Sequence, residues 1–201
     1  MGCAAPNPIH WRDLRSRPRE MVLAQPGVTA GVGQGYEVRF LNGRVLVDPE
    51  RASMKELEPD PERIMSEVFQ ILVLNYLCGP HGGALTGEVV SEKELPAGAT
   101  FFRGPHELQV HSAVEAFGGD AERFERCGRA LGGELVDHGD RAVRLWPFPE
   151  IPVTFVLWLV DEEFPASISV LFDRSISRWF ELDMVFLLVQ VLSQRLVRSP
   201  G

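Results

Sequence analysis

The chain has 201 residues, 45% of them hydrophobic and 24% charged, with a formal net charge of −8 at pH 7. This composition excludes a disordered chain and suits one well-packed domain. The acidic balance excludes a general nucleic-acid binder, which needs a basic stripe to neutralise phosphates.

Residues 1–9 are rich in Pro and Ala and read as loose. A short amphipathic helix follows over about residues 10–24, weakened by Pro18. Its arginines, Arg12, Arg15, Arg17 and Arg19, read as a solvated face. Gly31-Val-Gly-Gln-Gly35 has the look of a nucleotide loop but leads into a strand instead of opening a helix, so the dinucleotide reading fails. Tyr36 to Asp48 then reads as a hairpin turning on Asn42-Gly43, a pair that tolerates positive φ. The next helix is expected to start at Asp60 as N-cap with Pro61 in its first turn, and to stop at Gly79-Pro80. A Gly-rich linker leads to a short strand at 88–90 and a polar turn at 91–95. Gly104-Pro105 is expected to begin a helix running to about Phe117, and Asp120 to cap another running to about Leu131.

After Gly132-Gly133 the apolar pattern switches to period two. Segments 134–137, 142–146, 153–160 and 167–172 read as a four-stranded antiparallel meander. The third is apolar on both faces, which predicts a central strand covered by helices on each side, with Trp158 buried. A last helix is expected over residues 182–197, with Arg195 and Arg198 at the dipole's negative end. The expected architecture is α+β: a single domain over 1–201, in which an antiparallel sheet, the N-terminal hairpin plus the C-terminal meander, packs against helices.

Cys3, Cys78 and Cys127 are too few and too scattered for a disulfide framework and fit a reducing cytoplasm. No secretory pattern and no apolar run of membrane-spanning length is legible, so neither export nor a membrane partner is expected.

Several pieces occur in a telling order: Asn75-Tyr76-Leu77, Leu85-Thr86-Gly87-Glu88, Glu94-Leu95-Pro96-Ala97-Gly98, Phe117-Gly118, Leu131-Gly132-Gly133, and Asp161-Glu-Glu-Phe-Pro-Ala running to Val-Leu-Phe-Asp173. Over about residues 36–197 the chain resembles the bacterial and archaeal family called domain of unknown function 3786. The resemblance carries over no catalytic residues. It implies redox or corrinoid surroundings, because some relatives are fused to a four-cysteine iron–sulfur domain, although no such cysteine array occurs among these residues.

Cys78-Gly-Pro-His81 pairs a thiol with an imidazole, the donor set for zinc, iron or copper, but further ligands would have to come from distant elements. His106 and His111 lie five apart, about 140° around a helix, and cannot face one ion. Asp161 and Asp173 sit at opposite ends of a hairpin, roughly 20 Å apart, too far to act as an acid–base pair. Asp173 is expected to cap the turn after its strand. His106, beside Arg103 in a helix's first turn, would be held neutral and could meet an anionic group. Among the aromatics, Phe164 and Trp179 fall in or near turns and suit a partner or cofactor surface, whereas the strand aromatics suit core.

The reading that results is a non-catalytic cytoplasmic binding or accessory protein, serving a redox or cofactor-handling system. Its ligand is small and anionic or planar, or its partner is a redox protein, with Arg103, His106, Phe164 and Trp179 as binding residues and Cys78 and His81 as metal ligands. The alternative is an enzyme of unrecognised class using His106, Arg103 and an acidic residue such as Glu163. No cofactor is identified by the residues.

Overall fold

The computed structural model describes residues 8–57 and 66–200. Helices α1 (Pro8–Ser16) and α2 (Arg19–Leu23) replace the single expected helix, because Pro18 has no amide hydrogen with which to continue α1. Pro8 and Ile9, expected to be loose, are helical. Trp11 and Leu14 form the buried side of α1, which packs on α3 (Glu67–Cys78).

The hairpin is present as β2 (Tyr36–Phe40) and β3 (Gly43–Asp48), and it is the middle of a four-stranded sheet. Its flanks are β1 (Val28–Ala30) and β4 (Ser53–Glu56), and all pairs are antiparallel. Phe40 pairs with Gly43, so the turn residues are Leu41 and Asn42, one position earlier than Asn42-Gly43 predicts. Leu41 takes φ 53° because its side chain is buried in the core and its amide donates to Pro147 O at 2.9 Å. Tertiary packing overrides the local turn preference.

The described part of α3 is capped by Ser66, whose hydroxyl accepts from Phe69 N at 3.2 Å. Asp60 and Pro61 lie outside the described residues. The helix ends at Gly79 as expected.

A five-stranded antiparallel sheet carries the second half of the chain, in the order β5-β9-β8-β7-β6. Its strands are β5 (Val89–Ser91), β6 (Glu134–Val136), β7 (Arg141–Phe148), β8 (Ile151–Trp158) and β9 (Ser167–Asp173). The meander stands as expected, with β8 central and buried from Ile151 to Leu157.

Before the meander come α4 (Gly98–Phe101), α5 (His111–Phe117) and α6 (Ala121–Ala130), and after it α7 (Leu182–Arg198). Asp120 caps α6 by accepting from Arg123 N at 2.9 Å. Gly104–His106 is only a 3-10 turn, separated from α5 by four residues, and this corrects the helix expected to begin at Gly104-Pro105. Among the described residues the fold is therefore α+β, seven helices with two antiparallel sheets.

One hydrophobic cluster spans both sheets and the helices. It takes Val153, Phe155 and Leu157 from one face of β8, with Val143, Leu145, Val170 and Phe172 beside them. Tyr76 of α3 joins β7 to the segment before β1, stacking on Phe148 at 4.0 Å while its hydroxyl donates to Pro26 O at 2.6 Å. The other face of β8 is different. Val156 and Ala142 are buried yet lie outside the cluster. The turn over residues 137–140 covers them: a Cβ added to Gly139 would stand 2.6 Å from Val156 Cγ1. Helices thus cover one side of β8, not both. Trp158, at the end of the strand and only grazed by this turn, is 47% exposed where burial is expected.

Candidate functional site

The binding residues foreseen in the sequence do not converge. Arg103 and His106 are both exposed, and their side chains make no hydrogen bond or ion pair among the described residues. The imidazole packs instead on Phe101, ring centroids 4.8 Å apart. Since His106 ends a three-residue 3-10 turn, the helix-dipole argument for it falls away. No described interaction joins Arg103, His106 and Glu163 into a catalytic set.

Cys78 is half-buried and His81 exposed. Burial pushes the Cys78 thiol up to about 11, against the opposing pull of Arg17. Among the described residues no three His, Cys, Asp or Glu side chains gather as a metal site would need. Trp179 is 3% exposed and stacks on Tyr76 at 5.8 Å, so it is a core residue and not a ligand surface. Its ring is closed over by Gly82, where even a Cβ would collide with the indole.

Phe164 is the exception. It is 66% exposed and helps to line a pocket of about 540 Å³ on the face of the five-stranded sheet that the helices leave free. Trp158 and Phe164 supply aromatic surface there, Leu159 and Pro165 aliphatic surface, Ser167 a hydroxyl, and Asp140 and Asp161 charge. The local sequence explains the placement. Asp161 Oδ1 accepts from Glu163 N at 2.8 Å and from Phe164 N at 2.7 Å, while Asp161 N donates to Phe164 O at 3.1 Å. This closed Asx-type turn holds the backbone under the Phe164 ring. Asp140 Oδ2 accepts from Leu159 N at 2.8 Å and so ties the β6–β7 turn to the end of β8.

Each carboxylate has one oxygen engaged in this way. Asp140 Oδ1 and Asp161 Oδ2 accept no hydrogen bond from a described residue. The lining contains two acids, two exposed aromatic rings and no Lys, Arg or His. Such a surface attracts planar and positively charged groups through ring faces and carboxylates together, and it offers an anion no counter-charge. Phe164 was legible as a turn aromatic. Trp158 was missed because nothing in an unbroken apolar run marks where its cover stops. Asp140 was missed because only the register brings residue 140 to residue 159.

Asp173 does cap the turn after its strand, as expected, by accepting from Ser175 N at 2.9 Å. By extension of the register it lies opposite Pro152, at the far end of the β8–β9 hairpin from Asp161. It also accepts from the amide and hydroxyl of Thr86, at 3.0 and 2.8 Å, and from Gly87 N at 2.7 Å. Burial opposes its charge, but the hydrogen bonds from Ser175 and Thr86 outweigh burial and hold the carboxyl well below the usual range.

No curated protein and no solved structure matches the chain. A family model, Domain of unknown function (DUF3786), matches residues 18–195, close to the whole span over which the resemblance was read. The chain belongs to that family.

Proposed function

We propose that this chain is a non-catalytic binding protein that holds a planar, uncharged or cationic group between Trp158 and Phe164. The observation that carries the reading is the pairing of two exposed aromatic rings with two carboxylates, each with an uncommitted oxygen, in a single pocket of about 540 Å³. That volume lies within the ~300–1,000 Å³ common for small-molecule sites. The acids here serve as loop ties and counter-charges, and no described hydrogen bond links either of them to the Ser167 hydroxyl in the same lining as a nucleophile–base pair would need. Planar heterocycles are also what a redox or cofactor-handling system presents, which supports an accessory role in such a system. Free thiols at Cys78 and Cys127 support a reducing, cytoplasmic setting.

N-methylnicotinamide, a planar cation, and nicotinate, its anionic ring counterpart, test the charge preference by quenching of tryptophan emission. Saturable quenching by the cation alone is expected. Read by calorimetry, which does not depend on the deleted indole, Trp158→Ala and Phe164→Ala should each weaken binding about tenfold with unchanged melting temperatures. Equal response to the two probes, or full binding by both variants, overturns the reading.

A further inference from the structure

A second, smaller cavity of about 170 Å³ opens on the same sheet face, toward β5. Thr154 of β8 lies at its floor, Arg144 and Trp146 of β7 on one side, and Asp173 of β9, Val89 of β5 and Leu85 on the other. β7 and β9 are the two neighbours of β8, so their backbones stand about 10 Å apart, two strand spacings. Arg144 and Asp173 face one space without forming an ion pair.

Each of the two has capacity left over. Arg144 is half-buried and makes no hydrogen bond or ion pair with any described residue. Glu134, its register partner across β6 and β7, turns one oxygen to Trp146 instead, whose Nε1 donates to Glu134 Oε1 at 2.5 Å. A half-buried guanidinium that closes no described ion pair stands out in a chain with 28 acidic and 20 basic residues. Asp173 Oδ1 accepts three hydrogen bonds, but Oδ2 accepts only one, from Gly87 N, and a carboxylate oxygen can take a second.

The cavity therefore presents a guanidinium fork at one end, a carboxylate oxygen at the other and apolar walls between them. We propose that it binds a compact zwitterion, an amino acid-like molecule whose carboxylate sits on Arg144 and whose ammonium sits on Asp173. A simple anion would meet the charge of Asp173, and a simple cation would meet Arg144. A molecule bearing both groups satisfies both ends. The volume sets the size, since it equals five or six waters at ~30 Å³ each. This assignment shares no lining residue with the Trp158 pocket and does not depend on it.

Calorimetric titration of the full chain with β-alanine, L-alanine, propionate and propylamine separates the charge requirements on one three-carbon skeleton. At least one of the two amino acids should bind saturably, about tenfold or more tighter than propionate and propylamine. Arg144→Met should abolish that advantage without lowering the melting temperature. Should that variant melt early, Arg144→Lys becomes the comparison, keeping the charge but not the fork, and it should weaken binding. Absence of saturable heat from both amino acids overturns the proposal. So does propionate or propylamine binding as tightly as the better amino acid, or unchanged binding in the well-folded arginine variant.

Discussion

Asp173 grips Thr86 across 87 positions of sequence, one carboxylate oxygen accepting from both the amide and the hydroxyl of that threonine. The contact pins the linker after α3 to the end of β9, where β5 must start.

Asp173→Asn should cost about 3 kcal/mol at pH 7, since several charge-assisted hydrogen bonds weaken together. The folded-state pKa of Asp173 is depressed, so its contribution is complete above the unfolded value of ~3.9 and is lost as pH falls below it toward the folded value. Urea midpoints of wild type and variant should therefore differ most at neutral pH and converge below about pH 4. A gap that stays constant down to pH 2 contradicts this account.

Arg195 of α7 makes a two-pronged ion pair with Glu56 of β4, with side chains only 10% and 13% exposed, and its guanidinium lies 4.9 Å from the centre of the Phe69 ring. This arginine ties the last helix to the first sheet and does more than complement a helix dipole. Glu56→Ala strands a buried cation and should cost about 3–5 kcal/mol, whereas Glu56→Leu combined with Arg195→Met should recover most of that loss. Chemical denaturation of the three proteins measures both effects.

Gly128 lets α6 lie directly on β7, since a Cβ there would stand 2.5 Å from Val143 Cγ1. Gly128→Ala should destabilise by about 1–3 kcal/mol despite the better helix propensity of alanine. Gly119→Ala, where a Cβ meets open space, is the matched control and should stay within about 0.5 kcal/mol on thermal melting.

Burial keeps the Cys78 thiol protonated at neutral pH, with its pKa pushed up to about 11. Iodoacetamide should therefore label Cys78 slowly at pH 7.5 and faster only toward pH 10, as read by mass spectrometry. Anaerobic purification followed by metal analysis tests the Cys78 and His81 ligand pair directly: less than about a tenth of an equivalent of zinc, iron or copper rules it out.

Strong local signals made much of the fold legible. The continuous apolar run of β8 marked a central strand, and the Asp120 side chain marked the start of α6. Strands β1 and β4 stayed hidden because three or four residues are too short to carry a period, and they form only because β2 and β3 offer their edges. The one-residue slip of the hairpin turn came from Leu41, whose burial outweighed what Asn-Gly prefers. For the site, sequence could name Phe164 as an aromatic in a turn. It could not foresee that one face of the sheet lacks helices, because period-two apolarity looks the same whether a helix or a folded-back turn supplies the cover.

The outermost strands of the large sheet, β5 and β6, are three residues long, while β7, β8 and β9 between them run to seven or eight. An incoming chain thus finds few free amides along either border to copy, and edge-to-edge stacking into fibrils is discouraged. That protection lets a protein keep indole and phenyl rings in water on one broad face without the sheet recruiting its own copies.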